Sequence, residues 1–260
     1  MSTGPERIAA AFAATDGRAA LMPYLMGGFP DLEASRAIGE AYADGGADLV
    51  ELGVPFSDPL ADGPVIHAAG TKALAAGATV PGVIELARSL SERLPVILMI
   101  YANLVMARGV ERFADELAQA NVSGLIIPDL PFEEAPPALA ACDAAGIALV
   151  PLVAPTTPDE RLARIGAQAR GFIYTVSVLG TTGERESVDS TDLLARVKAH
   201  SEVPVALGFG ISTPEQAAAA AAAGADGVIV GSRLVRAAAE GEDMRVLVER
   251  LAAALGRADA

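Results

Sequence analysis

The sequence predicts an α/β fold, a single (β/α)8 TIM-type barrel with accessory helices filling residues 1–260, and three observations carry that prediction. Short apolar runs recur eight times along the chain. Longer Ala-, Leu-, Glu- and Arg-rich segments with helical spacing lie between most of them. The passages into the runs are alike: AYADGGADLVELG, AQANVSGLIIPDL, CDAAGIALVPLV and AAAGADGVIVGS each go from a helix end, through a Gly or Asn able to take a positive φ, into an apolar strand. Strands of a parallel sheet are buried on both faces and read as continuous apolar runs. Eight βα units in about 250 residues make a closed barrel. An open doubly wound sheet shares the alternation, but it needs no closure and usually has fewer strands.

Taken in order, the runs are LMPYLM from Leu21, DLVEL from Asp48, VILMIY from Val96, SGLII from Ser123, IALVPL from Ile147, GFIYTV from Gly171, VPVAL from Val203 and DGVIV from Asp226. Asp31 is placed to cap a helix over Leu32 to Ala43, since its carboxylate can accept from the first free amides. STPEQ, from Ser212 to Gln216, joins a capping residue to Pro in the first turn and Glu/Gln just after. The seven alanines that follow, Ala217 to Ala223, read as helix: Ala has the best helix propensity, and its small side chain lets the helix sit close to the barrel. A last helical pattern, Glu242 to Leu255, extends past the eighth run. No linker-like stretch divides the chain, so one domain is expected.

Composition excludes several functions. No run reaches the roughly 18 apolar residues of a membrane span; Val96 to Ala107 is the best candidate, and it is short and contains Asn103. The N-terminus has no basic region leading into an apolar stretch, so a cytoplasmic protein is expected. With 19 basic and 33 acidic side chains the net charge is −14, and most of the surface repels phosphate backbones and anionic membranes. Cys142, His67 and His200 are the only Cys and His residues, too few for a disulfide framework or a zinc cluster. Cys142 reads as a buried helix residue.

The active site of a barrel lies at the C-terminal ends of its strands, and here those ends are polar. Glu51 ends the second run and leads into ELGVPFSDPLADGP, which holds Asp58 and Asp62; Tyr101 and Asn103 end the third, Asp129 the fourth and Tyr174 the sixth. GFGIS at Gly208 to Ser212, VGS at Val230 to Ser232 and GTTGER at Gly180 to Arg185 supply bare backbone amides after the sixth to eighth runs. That suits a phosphate, although each glycine could equally serve a tight βα turn. Glu51 has Leu52, Val54, Pro55 and Phe56 beside it, and such a setting raises a carboxyl pKa toward that of a useful general acid. Asp62 sits in a Pro/Gly-rich loop able to bring a second carboxylate to the same substrate. The alternative is that Glu51 satisfies a neighbouring polar group and that Asp58 and Asp62 form turns; turn formation is the preferred reading for Asp58. Lys72 and Lys198 fall in helical segments, away from where a Schiff base would form. His67 and His200 likewise lie in or beside helices. What remains is acid–base carbon chemistry on a phosphorylated substrate.

ELGVPFSDPLADGP, together with YAN at Tyr101 to Asn103, PDLP at Pro128 to Pro131, Thr182-Gly183 and GFGIS, closely resembles the tryptophan synthase α subunit family, in order over nearly the whole chain. The resemblance implies a lyase that splits indole-3-glycerol phosphate into indole and glyceraldehyde 3-phosphate. It implies that Glu51 protonates the indole ring, that Asp62 hydrogen-bonds the indole N–H and that the Tyr174 hydroxyl contacts Glu51. Tyr24, Ile66, Tyr101, Ile126 and Phe209 would line the indole slot; Gly183, Gly210, Gly231 and Ser232 would hold the phosphate; residues 178–188 would form a lid. Tyr24 stands where some members have Phe, and Met26 where some have Thr. The resemblance further implies a β-subunit partner in an α2β2 assembly, facing the loops of Asp62 and Asp129. Pyridoxal phosphate would belong to that partner, with no cofactor and no metal in this subunit. Two other readings are another barrel enzyme of phosphosugar or indole chemistry, and a non-catalytic subunit that activates a β partner.

Overall fold

The computed structural model describes residues 2–176, 190–208 and 210–257. Nine strands, all paired in parallel, form one sheet: β1 (Ala20–Met26), β2 (Val50–Gly53), β3 (Val96–Met99), β4 (Gly124–Ile126), β5 (Ala148–Leu149), β6 (Leu152–Val153), β7 (Ile173–Val176), β8 (Val205–Gly208) and β9 (Gly227–Val230). Their order is β5-β4-β3-β2-β1-β9-β8-β7-β6. The two ends of that order are joined by only Val150 and Pro151, so the chain itself closes the ring. Val150 N–H still donates to Leu125 on the β4 side at 2.9 Å, while Tyr174 N–H on β7 donates to the Pro151 carbonyl at 3.0 Å. The fifth run, expected as one strand, is thus two short ones, because Pro151 has no N–H to continue a ladder.

Among the described residues twelve α-helices accompany the strands: α1 (Gly4–Ala13), α2 (Leu32–Asp44), α3 (Pro64–Ala75), α4 (Val80–Leu90), α5 (Ala102–Arg108), α6 (Val110–Gln119), α7 (Pro136–Ala145), α8 (Asp159–Gln168), α9 (Ser190–Lys198), α10 (Pro214–Ala222), α11 (Ser232–Glu240) and α12 (Met244–Ala254). None is long and apolar enough to cross a membrane. Asp31 caps α2 through Ala34 N–H at 2.8 Å, and Thr213 with Gln216 forms a capping box on the alanine helix α10. The final helix is α12, inside the expected segment. Helix α1 had no counterpart in the pattern of runs. Its Ile8 is fully buried with Met22, Leu49, Ile97 and Phe172 in the barrel interior, and Arg7 ties it to Ser123 and Val122 just before β4. The N-terminal mouth is thereby plugged, which leaves chemistry to the opposite end.

Candidate active site

Two tyrosines and a glutamate share the interior near the C-terminal mouth. Register sets Tyr24 of β1 opposite Glu51 of β2, and Tyr174 of β7 opposite Ala206 of β8. Each tyrosine leans toward the mouth and lays its hydroxyl over a glycine of the neighbouring strand, two residues beyond its own register partner. A Cβ on Gly53 would collide with the Tyr24 hydroxyl, and one on Gly208 would collide with the Tyr174 hydroxyl. Glycine at both positions is therefore the seat of a phenol, an assignment that the loop readings of nearby glycines did not reach. Tyr42 of α2 donates to the Tyr24 carbonyl at 3.0 Å and fixes β1 from outside. The Tyr24 hydroxyl lies 4.0 Å from the Met26 sulfur, so the two positions that depart from some family members contact each other.

Glu51 is 1% exposed, and its Oε2 has no hydrogen-bond partner among the described residues. Burial, reinforced by the negative charge of Asp62, pushes its pKa up to about 8. Burial also raises the phenols of Tyr24 and Tyr174, and the Glu51 charge adds to both shifts. Asp62 lies on the loop between β2 and α3 and is half-buried. Tyr101 donates its hydroxyl to Asp62 Oδ1 at 2.9 Å and accepts from Ala61 N–H at 3.0 Å. The Asp62 pKa is raised by desolvation, while the Tyr101 hydrogen bond and the nearby His67 pull it back. Phe56 stacks on Tyr101 with ring centroids 5.2 Å apart. One carboxyl is thus buried with an unpartnered oxygen among the described residues, the other half-buried and hydrogen-bonded.

The other expected residues fall as follows. Ile66 of α3 packs, half-buried, against a cluster holding Tyr24, Met26 and Phe29. Ile126 of β4 is fully buried in the barrel interior. Gly210 is exposed with φ +78, a conformation suited to glycine. Gly231 and Ser232 begin α11, whose N-terminus receives no side-chain cap, so its first amides are open to an anion. Asp58 is exposed in the turn before Asp62. Phe209, Gly183 and the expected lid at 178–188 lie outside the described residues. A cavity of about 550 Å³ opens beside this mouth, lined by Asp62, Met99, Ile127, Leu130, Val153 and Val176 among others, mostly apolar. Met99 and Ile127 were not foreseen there; Met99 ends β3 and Ile127 directly follows β4, the one signal that could have marked them. Among the described residues no three Cys, His, Asp or Glu side chains are grouped to hold a metal.

The chain matches the family model for the tryptophan synthase alpha chain over residues 11–259. It is 50% identical to the tryptophan synthase alpha chain of Methanosarcina mazei over 235 residues, which is 90% of this chain and 86% of the relative. Among solved structures it resembles a chain of Mycobacterium tuberculosis tryptophan synthase, with a TM-score of 0.90 and 40% identity over 99% of this chain and 100% of the other. It also resembles a chain of the α2β2 tryptophan synthase complex of the hyperthermophile Pyrococcus furiosus, with a TM-score of 0.84 and 36% identity over 92% of this chain and 99% of that one. Barrel and comparisons agree, and the chain belongs to the tryptophan synthase alpha chain family.

Proposed function

We propose that Glu51 and Asp62 carry out in this protein the reaction of its family, the cleavage of indole-3-glycerol phosphate to indole and glyceraldehyde 3-phosphate. The chain is the lyase subunit, and the tryptophan synthase β subunit is the partner that receives the indole for L-tryptophan synthesis. The observation that carries the site assignment is Glu51: a buried carboxyl with an unpartnered oxygen and a pKa of about 8 holds its proton at neutral pH and can give it to carbon.

In the proposed sequence the Glu51 proton goes to the ring carbon that bears the glycerol chain. Positive charge develops on the ring nitrogen, and Asp62, ionised, accepts the N–H hydrogen bond and stabilises it. The Glu51 carboxylate so formed can take the proton of the adjacent side-chain hydroxyl. The carbon–carbon bond then breaks: its electron pair returns to the ring, giving indole, and the hydroxyl carbon becomes the aldehyde. The charge of Glu51 acts on Tyr174 and the charges of both carboxylates act on Tyr24, while Ile66, Tyr101, Ile126 and Phe209 are assigned to the indole slot. The amides of Gly183, Gly210, Gly231 and Ser232 are assigned to the phosphate. An ensemble of backbone donors suits a protein whose overall charge of −14 repels the substrate.

The carboxylates supply the acid–base chemistry without a metal or a Schiff base. Lys198 is paired with Asp226 at 2.7 Å on the helix layer, and Lys72 on α3 lies over the Phe29 ring. We assign pyridoxal phosphate to the β partner alone and the protein to the cytoplasm. The test is formation of indole and glyceraldehyde 3-phosphate from indole-3-glycerol phosphate by the purified chain, with Glu51→Gln as the control. Failure of the parent chain with and without the β subunit would overturn the function; full turnover by the variant would overturn the site.

A further inference from the structure

Helix α5 lacks a cap of its own. Tyr101 occupies its N-cap position with extended backbone, and the Tyr101 side chain makes no capping bond. The first amide, Ala102 N–H, donates instead to Asp129 Oδ1 at 2.8 Å, from 27 residues further along the chain in the turn after β4. A carboxylate accepting from a helix N-terminal amide is a strong, charge-assisted bond that also meets the helix dipole. Tyr101 is thus gripped at three points. Its backbone is pinned next door by Asp129, its ring is stacked on Phe56, and its hydroxyl bridges Ala61 N–H and Asp62 Oδ1. Asp62 has no other side-chain hydrogen bond in the described structure.

We propose that Asp129 is a positioning residue for Asp62, acting through the α5 N-terminus and Tyr101. The inference rests on the reading that Asp62 stabilises the charged indole. Releasing Asp129 frees the Tyr101 backbone, loosens the hydroxyl that aims the Asp62 carboxylate, and removes one of the influences that keep Asp62 ionised. The groups facing Asp62 are Tyr101, His67 of α3, Glu51 of β2 and Tyr24 of β1, and only the Tyr101 contact depends on Asp129.

The experiment measures glyceraldehyde 3-phosphate formation by Asp129→Ala, Asp129→Asn, Tyr101→Phe and the Asp129→Ala/Tyr101→Phe double variant, alone and with saturating β subunit. Misaiming one group at a reacting centre is expected to cost Asp129→Ala about tenfold in kcat with KM changed less than about twofold. Asp129→Asn, whose amide oxygen still accepts from Ala102 N–H, should stay within about threefold of the parent. The double variant should be no more than about twofold slower than Tyr101→Phe, because both changes act through one contact. The acidic limb of kcat/KM should move to higher pH in Asp129→Ala and Tyr101→Phe and stay in place in Asp129→Asn. Parent-like kinetics in Asp129→Ala, losses that multiply in the double variant, a limb that does not move, or a loss seen only with the β subunit would each overturn the proposal. Asp62→Asn run in parallel separates the two levels: if it too behaves like the parent, the reading of Asp62 fails rather than that of Asp129.

Discussion

Replacing Glu51 with Gln should change how stability depends on pH as sharply as it changes turnover. In the folded chain the Glu51 carboxyl titrates at about 8, against 4.5 when unperturbed. At pH 7 it is therefore about nine-tenths protonated, where an ordinary glutamate would be about 0.3% protonated, a roughly 300-fold gain in acid form. Between those two pKa values the native state binds a proton that the unfolded chain has released. Stability supplied by this group is complete below pH 4.5 and is lost as the pH rises toward 8. From pH 6 to pH 8 the loss amounts to about 2 kcal/mol. Gln cannot titrate, so the stability difference between parent and variant should change by that amount over the window. Denaturant unfolding of both proteins at pH 6, 7 and 8 measures it, and the rate of glyceraldehyde 3-phosphate formation followed upward in pH should fall near 8 in the parent. Parallel stability curves for the two proteins would refute the reasoning, because a Glu51 that titrates normally is ionised at neutral pH and has no proton to give.

Asp62→Asn should lower turnover by about 100-fold with folding intact, since a neutral amide cannot balance the charge on the ring nitrogen; it should also lower the Glu51 pKa, seen as a smaller loss of stability between pH 6 and pH 8 than in the parent. Collapse of thermal stability instead would make Asp62 a turn residue. Gly208→Ala drives a methyl into the Tyr174 hydroxyl and should cost about 1–3 kcal/mol in denaturant unfolding together with part of the activity; a loss below about 0.5 kcal/mol would mean that the phenol simply swings aside. Leu60 is 87% and Met106 52% exposed on segments that follow β2 and β3. Leu60→Asp should weaken β-subunit association about tenfold in a titration, with turnover by the isolated chain retained, and unchanged affinity would place the interface elsewhere.

The strands were legible because a parallel sheet buries both faces and leaves no polar alternation to confuse the pattern. Helix starts at Asp31 and Thr213 were legible because capping is local chemistry, written within four residues. Helix α1 could have been found the same way. Thr3 and Glu6 form a capping box around Pro5, but a lone amphipathic helix before the first strand has no place in the βα repeat that organised the reading. The break at Pro151 was present in the run IALVPL, yet an apolar run alone does not show which neighbour each half pairs with. Glu51 stood out because its own sequence neighbours are apolar. Tyr101 was assigned to the indole slot from the resemblance, whereas in the structure its hydroxyl holds Asp62. That bond joins residues 39 apart in sequence, and no local pattern records it. The glycine seats at Gly53 and Gly208 depend on register between strands and were hidden for the same reason.

The division of labour between the two carboxylates follows from where the fold places them. A residue on a strand of a closed, plugged barrel is enclosed by its neighbours, and Glu51 has no hydrogen-bond donor at Oε2 among the described residues to offset the cost of a charge, so it keeps its proton. Asp62, on a βα loop, is only half-buried, and the Tyr101 phenol donor with the nearby His67 offsets part of the rise that desolvation causes, so it holds a charge more readily than Glu51. Each state strengthens the other, because an ionised Asp62 makes ionisation of Glu51 harder while a neutral Glu51 leaves the charge of Asp62 unopposed. Acid and anion thus arise from one sequence motif, Glu51 to Asp62, that starts inside the barrel and ends at its rim, and the strand-to-loop boundary within it is what separates the two pKa values.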